Sequence, residues 1–141
     1  MIRVRRWHLL LVVAVVAAAC RPAPRDLSMR LLTEDMEFRV LPDPVPPRAR
    51  EPVKYKVVVR DRETGEPIEN GQGQIFATSE SNIDSYDPLL KGPELGTYYA
   101  TMHFITAGQW AVAIRFQRDS TKKLERMDWM QEVLPARGEK K

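Results

Sequence analysis

The stretch 98-YYATMHFITAGQWAVAIRFQ-117 decides the fold of this chain. Apolar side chains recur at every second position on both sides of a connection that contains Gly108. They are Tyr98, Ala100, Met102 and Phe104 before the connection, and Trp110, Val112, Ile114 and Phe116 after it. A period of two is typical of a β-strand that buries one face. We interpret the stretch as two strands joined in an antiparallel β-hairpin.

Further strands are predicted on both sides of this hairpin. Alternation runs through residues 53–60, a shorter strand is centred on Ile75 and Ala77, and a last strand covers residues 124–133. Turn-forming residues separate these segments, and the polar stretch 80–93 is predicted as a long loop. The only helical signal in this part is a brief turn within residues 27–36. Short strands divided by turns predict an all-β antiparallel sandwich of about seven strands.

The N-terminal residues have the build of a secretory signal peptide. A basic start (Arg3, Arg5 and Arg6) precedes an apolar segment over residues 9–19. That segment is shorter than the roughly 20 helical residues that a bilayer core requires. We therefore expect a signal peptide helix that is cleaved, rather than a permanent membrane span.

The single cysteine of the chain, Cys20, follows this segment directly and is preceded by Ala17, Ala18 and Ala19. The arrangement resembles the lipobox of bacterial lipoproteins, in which the cysteine receives a diacylglyceryl group and becomes the new N-terminus. The resemblance implies cleavage after the three alanines and a lipid anchor on Cys20. It also implies a protein of the cell envelope, held on the inner or outer membrane and facing the extracytoplasmic side. A plain secreted protein is the alternative.

Four segments are expected along the chain. They are a signal peptide (1–19), the lipidated cysteine with a flexible tether (20–35), a β-sandwich domain (36–134) and a disordered tail (135–141). The proline cluster 41–47 is predicted as an extended edge or a loop, because proline cannot donate to a sheet ladder.

The charge balance argues against a nucleic-acid partner. The chain has 22 basic and 19 acidic residues, and cleavage before Cys20 would remove Arg3, Arg5 and Arg6 and no acidic residue. The processed chain is then close to neutral, whereas nucleic-acid binding needs a basic surface that attracts phosphates.

Residues 52–116 resemble the YtkA-like or FixH-like domain of exported and membrane-anchored bacterial proteins. The matching pieces are 57-VVVRD-61, 64-TGEPI-68, 96-GTYY-99 and 107-AGQWAV-112. The resemblance implies an immunoglobulin-like sandwich with a role in oxidase assembly or in metal handling outside the cytoplasm. The residues themselves predict structural tasks: Gly96 and Gly108 permit tight turns, while Tyr98 and Trp110 fill the space between two sheets.

The same resemblance implies copper as a ligand, which thioether sulfur and imidazole nitrogen suit. After processing, His103 is the only histidine, and Met36 and Met127 are the methionines expected to complete such a site. The residue pattern by itself favours no cofactor, because Met102 and His103 are adjacent on a strand and point to opposite faces.

No catalytic motif is present in the sequence. There is no glycine-rich phosphate loop, zinc motif or nucleophile elbow. Asp84, Asp87 and Glu94 share the predicted loop 80–93 or its border, and we interpret them as residues that stabilise turns. The expected function is therefore a non-catalytic binding or accessory role with an envelope protein as partner, with a periplasmic copper carrier or oxidase-assembly factor as the alternative.

Overall fold

The computed structural model describes residues 23–138. Over this part the chain forms eight β-strands and no helix. The strands are β1 (Met29–Leu32), β2 (Met36–Asp43), β3 (Pro52–Asp61), β4 (Gln72–Ser79), β5 (Asp84–Lys91), β6 (Thr97–His103), β7 (Gly108–Gln117) and β8 (Leu124–Val133).

All strand pairs are antiparallel, and the strand order is β1-β2-β3-β6-β5-β4-β7-β8. The sheet folds over at β5. Residues 84–89 of this strand pair with β4, whereas only residues 90–91 pair with β6. This bend at β5 divides the sheet into two half-sheets, β1-β2-β3-β6 and β5-β4-β7-β8.

The apolar faces of the two half-sheets pack against each other. Phe116 of β7 lies edge-on to Phe38 of β2, with ring centroids 5.4 Å apart, and to Tyr98 of β6, at 5.2 Å. The ring centroids of Tyr55 of β3 and Trp129 of β8 are 6.4 Å apart. These contacts join the two half-sheets into the predicted all-β sandwich, with eight strands where about seven were expected.

The predicted β6–β7 hairpin is wrong. β6 pairs with β3 and β5, while β7 pairs with β4 and β8. The short connection between β6 and β7 crosses from one half-sheet to the other, so their apolar faces oppose each other across the core. Phe104 and Trp110, on the two sides of this connection, have ring centroids 5.1 Å apart. The alternation of apolar residues predicted β6 and β7 correctly as strands, but such a pattern does not show which strand lies next to each of them.

Three strands lie where none was predicted. β2 runs from Met36 into the proline cluster 41–47, which was predicted as an extended edge or a loop, and it lies between β1 and β3. β5 occupies most of the expected loop 80–93, and β1 lies within the expected tether 20–35 and its brief helical turn. β5 was missed because polar residues and Pro88 obscure its alternation. β1 has only four residues, too few for a periodic signal, and its Met29 and Leu31 pack on the core.

The predicted tail 135–141 begins with an ordered contact. The carbonyl of Pro135 accepts a hydrogen bond from Arg48 Nη1 (3.1 Å), next to Leu134 at the end of the predicted domain, whose N–H donates to the carbonyl of Pro47 (2.9 Å). Residues 139–141, like Cys20 and Ala17 to Ala19, lie outside the described residues.

Candidate binding surface

The outer side of the half-sheet β5-β4-β7-β8 carries an aromatic and cationic surface. Phe76 of β4 lies at its centre, half-buried, with Tyr86 of β5 opposite it on one side and Ala113 of β7 on the other. Ala113 points outward yet is only 2% exposed, so larger side chains cover it. We call the surface formed by Phe76, Tyr86, Arg115 and Arg126 the Phe76 face.

Two guanidinium groups lie over the Phe76 ring. The guanidinium carbon of Arg115 is 4.8 Å from the ring centroid, and that of Arg126 is 5.1 Å from it. The strand register explains this arrangement. Phe76 pairs with Ala113 of β7, and Arg115, two residues further along β7 on the same face, pairs with Arg126 of β8. Cations over an aromatic ring are attracted by its electron-rich face.

The two arginines differ in their ionic partners. Arg126 donates to both carboxylate oxygens of Asp128, at 2.6 to 3.0 Å, and this contact keeps the pKa of Asp128 below its ordinary value. Arg115 takes part in none of the ion pairs found within residues 23–138. Arg115 is therefore held in place by Phe76 and has hydrogen-bond donors available for a ligand.

A shallow depression lies beside these residues. It encloses about 360 Å³ and its lining includes Phe76, Tyr86, Arg115 and Ser85. The Tyr86 side chain borders it and is 71% exposed. Tyrosine, phenylalanine and arginine are enriched at the centres of protein–protein interfaces, so the composition of the Phe76 face is that of a binding surface.

A second depression, at one end of the sandwich, has a structural explanation. It encloses about 420 Å³ and is lined by charged residues, including Asp61 and Arg118. The Asp61 carboxylate accepts the backbone N–H groups of Thr64 and Glu63 and pairs with Arg118, and these contacts lower its pKa to about 2. Asp61 thus fixes the β3–β4 turn and joins it to the β7–β8 turn.

The structure does not bring the expected copper ligands together. His103 pairs with Pro52 at the start of β3, and Met36 pairs with Asp61 at the end of the same strand. Ten-residue β3 separates them by about 30 Å at 3.3 Å per residue. Met36 is 1% and Met127 6% exposed, both in the core, whereas His103 is exposed. These three residues therefore form no common site, and no group of three His, Cys, Asp or Glu in the described part could hold a metal ion.

The carboxylates of the predicted loop make separate contacts, and those of Asp84 and Asp87 join β5 to its neighbouring strands rather than stabilising turns. Asp84 accepts the hydroxyl of Thr78 (2.7 Å), and Glu94 accepts that of Tyr99 (2.8 Å). Asp87 accepts the backbone N–H of Thr101 (2.7 Å). The hydrogen bond of Asp87 lies where β5 and β6 diverge. Its carboxylate therefore takes the place of the backbone carbonyl that would otherwise accept the Thr101 N–H.

The residues matched to the family have structural positions. Trp110 is fully buried, and its Nε1–H donates to the carbonyl of Thr106 at 3.0 Å. The Tyr98 hydroxyl donates to the carbonyl of Ile68 (2.8 Å) and accepts the N–H of Gly71 (3.0 Å). Gly96 and Gly108 have φ values of 62° and 119°, the left-handed region that glycine tolerates. Gly108 begins β7 after the crossing between half-sheets rather than turning a hairpin.

Sequence reasoning missed the Phe76 face. β6 and β7, predicted as one hairpin, belong to different half-sheets, so Arg115 of β7 lies next to β4 rather than next to β6. One signal was available: Phe76 is a large apolar residue on the outward side of a strand whose inward residues are Ile75 and Ala77.

Comparison with known proteins supports the fold. No family model and no curated protein matches the chain. No helix within residues 23–138 is long and apolar enough to span a membrane. The chain is similar to the crystal structure of a DUF4426 family protein from Pseudomonas aeruginosa, with a TM-score of 0.61 and 12% identity. The likeness covers 77% of this chain and 96% of that one, and at this identity it shows a shared all-β fold alone.

Proposed function

We propose that this chain is a lipid-anchored module of the bacterial cell envelope that binds a protein partner through the Phe76 face and catalyses no reaction. The observation that carries the proposal is Arg115, stacked on Phe76 beside an open depression with Tyr86 exposed at its border. The lipobox-like residues before and at Cys20 support the anchor. The pieces around Gly96 and Trp110 support a YtkA-like or FixH-like, immunoglobulin-like domain.

The positive charge and the aromatic rings of the Phe76 face indicate which side chains the partner should present. Arg115 can donate two parallel hydrogen bonds to a planar carboxylate. Tyr86 offers a rigid aromatic surface that loses little conformational entropy on binding. The partner is therefore expected to present an acidic side chain next to an apolar or aromatic one.

Photo-crosslinking in intact cells tests the surface. A photoreactive amino acid at Tyr86 is expected to give one discrete adduct with an envelope protein, and Arg115→Ala in the same chain should reduce that adduct about tenfold. Thr101, exposed on the outer side of the other half-sheet, is the matched control position and should give no adduct.

Two results would contradict the proposed surface. An adduct at Tyr86 that persists unchanged in Arg115→Ala would exclude the arginine from recognition. The absence of any adduct at Tyr86, together with one at Thr101, would place the partner on the other half-sheet.

Metabolic labelling with a fatty-acid analogue tests the anchor. The wild-type chain should incorporate the label and Cys20→Ser should not, because the thiol is the only one in the sequence. Arg21→Ala, next to the proposed modification site, serves as a control that should keep the label. Equal labelling of wild type and Cys20→Ser would show that the lipid, if present, is elsewhere.

A further inference from the structure

β8 is a terminal strand of the sheet and has an open edge. It pairs with β7 over its whole length, from Leu124 to Val133. On its other side, the backbone partners found in residues 23–138 begin only at Leu134, whose N–H and carbonyl bond to Pro47 and Ala49. Backbone groups alternate in direction along a strand, so the even-numbered residues of β8 direct their N–H and carbonyl groups away from β7. A long open edge of this kind pairs readily with another strand.

The outward side chains of β8 are complementary to themselves about Met127. If a second copy of β8 runs antiparallel with the two Met127 residues opposite each other, Arg126 lies opposite Asp128 of the second copy. Leu124 lies opposite Met130 of the second copy. Leu124 and Met130 are 58% and 62% exposed, so this pairing would cover two large apolar side chains. Opposite charges and apolar pairs directly across two strands stabilise a sheet.

We propose that the chain forms a symmetric dimer through antiparallel pairing of β8 with β8, centred on Met127. A two-fold axis relates the two copies, so every contact away from the axis occurs twice. In this register residues 124–130 of each copy pair with one another, and this stretch lies within the open edge between the β7–β8 turn, which ends at residue 123, and the contacts of residues 47–49, which begin at Leu134. The eight-stranded sheet of each copy then continues into the other.

Charge selects this register over its neighbours. Centring the pairing on residue 126 would place two Arg126 side chains opposite each other, and centring it on residue 128 would oppose two Asp128 side chains. Like charges directly opposite destabilise a strand pair. Only the register centred on Met127 pairs Arg126 with Asp128 at both symmetric positions.

A charge exchange tests the dimer and its register. The full-length chain is measured by sedimentation velocity in a density-matched detergent, so that only protein mass contributes. Wild type is expected to dimerise, and Arg126→Asp or Asp128→Arg should each weaken the dimer by at least about tenfold, because each places like charges opposite at two positions. The double variant Arg126→Asp/Asp128→Arg restores opposite charges and should recover the wild-type affinity within about threefold.

A further variant separates this interface from other effects. Arg30→Asp, on the terminal strand β1 at the other end of the sheet, is the matched control and should dimerise as wild type.

Clear results would overturn the dimer. A wild-type chain that stays monomeric at about 100 μM would exclude it, as would a double variant that remains as dissociated as the single ones. Loss of the dimer in Arg30→Asp with retention in Arg126→Asp would move the interface to β1. Because the charge exchange also breaks and restores the Arg126–Asp128 pair within each chain, circular dichroism of the single variants is measured separately to show that they are folded.

Discussion

Replacing Trp110 with alanine is expected to lower the free energy of unfolding by about 3–5 kcal/mol. The side chain is fully buried, and its ring packs edge-on against Phe104 at 5.1 Å, at the crossing between half-sheets. Alanine would leave a cavity that neither half-sheet can close, and it would remove the hydrogen bond to the carbonyl of Thr106. Because a domain of this size is stable by only about 5–15 kcal/mol, much of the protein should unfold under mild conditions.

Urea unfolding of the purified chain measures this effect. Trp110→Phe keeps most of the packed volume and loses the hydrogen bond, so its loss of stability should be clearly smaller. Ile105→Ala, at a side chain that is 56% exposed in the connection between β6 and β7, is the surface control and should change the midpoint little. A Trp110→Ala midpoint equal to that of Ile105→Ala would contradict the described core.

Replacing Gly96 with alanine is expected to lower the free energy of unfolding by about 3 kcal/mol. Gly96 has φ of 62°, and an added Cβ would come within 2.7 Å of the Val59 carbonyl oxygen and 2.8 Å of the Pro67 Cβ. The Val59 N–H also donates to the Gly96 carbonyl at 2.7 Å, so the chain cannot move away without breaking that bond. Steric conflict with backbone therefore adds to the unfavourable φ.

Gly65→Ala is the matched control for this prediction. Gly65 has a similar φ of 76°, but an added Cβ there would meet nothing within 4 Å. Gly65→Ala should lower the free energy of unfolding by only about 1–2 kcal/mol, which is the cost of placing alanine in the left-handed region. The difference between the two variants in a urea titration isolates the contact with Val59 and Pro67. Equal losses at both positions would show that φ alone accounts for the effect.

The residue pattern predicted five of the eight strands and much of the core correctly. β3, β7 and β8 lie at or within two residues of their expected bounds, and Trp110 and Tyr98 are buried as expected. The missed strands were β1, β2 and β5: β1 is short, β2 runs into the proline cluster 41–47, and polar residues interrupt the alternation of β5. The expected copper ligands lie apart because the length of β3 separates His103 from Met36, and no local pattern reports that distance.

The sequence by itself determined five of the eight strands and which of their faces are buried. The cause is local, because side-chain direction alternates along any extended backbone and apolar side chains leave water on one side. Only the tertiary structure decided that β6 and β7 oppose each other across the core, and that Phe76, Tyr86 and Arg115 share one surface. Strand pairing depends on contacts between residues far apart in the chain, so one alternating pattern is compatible with several neighbours. The packing of the whole domain selects among them.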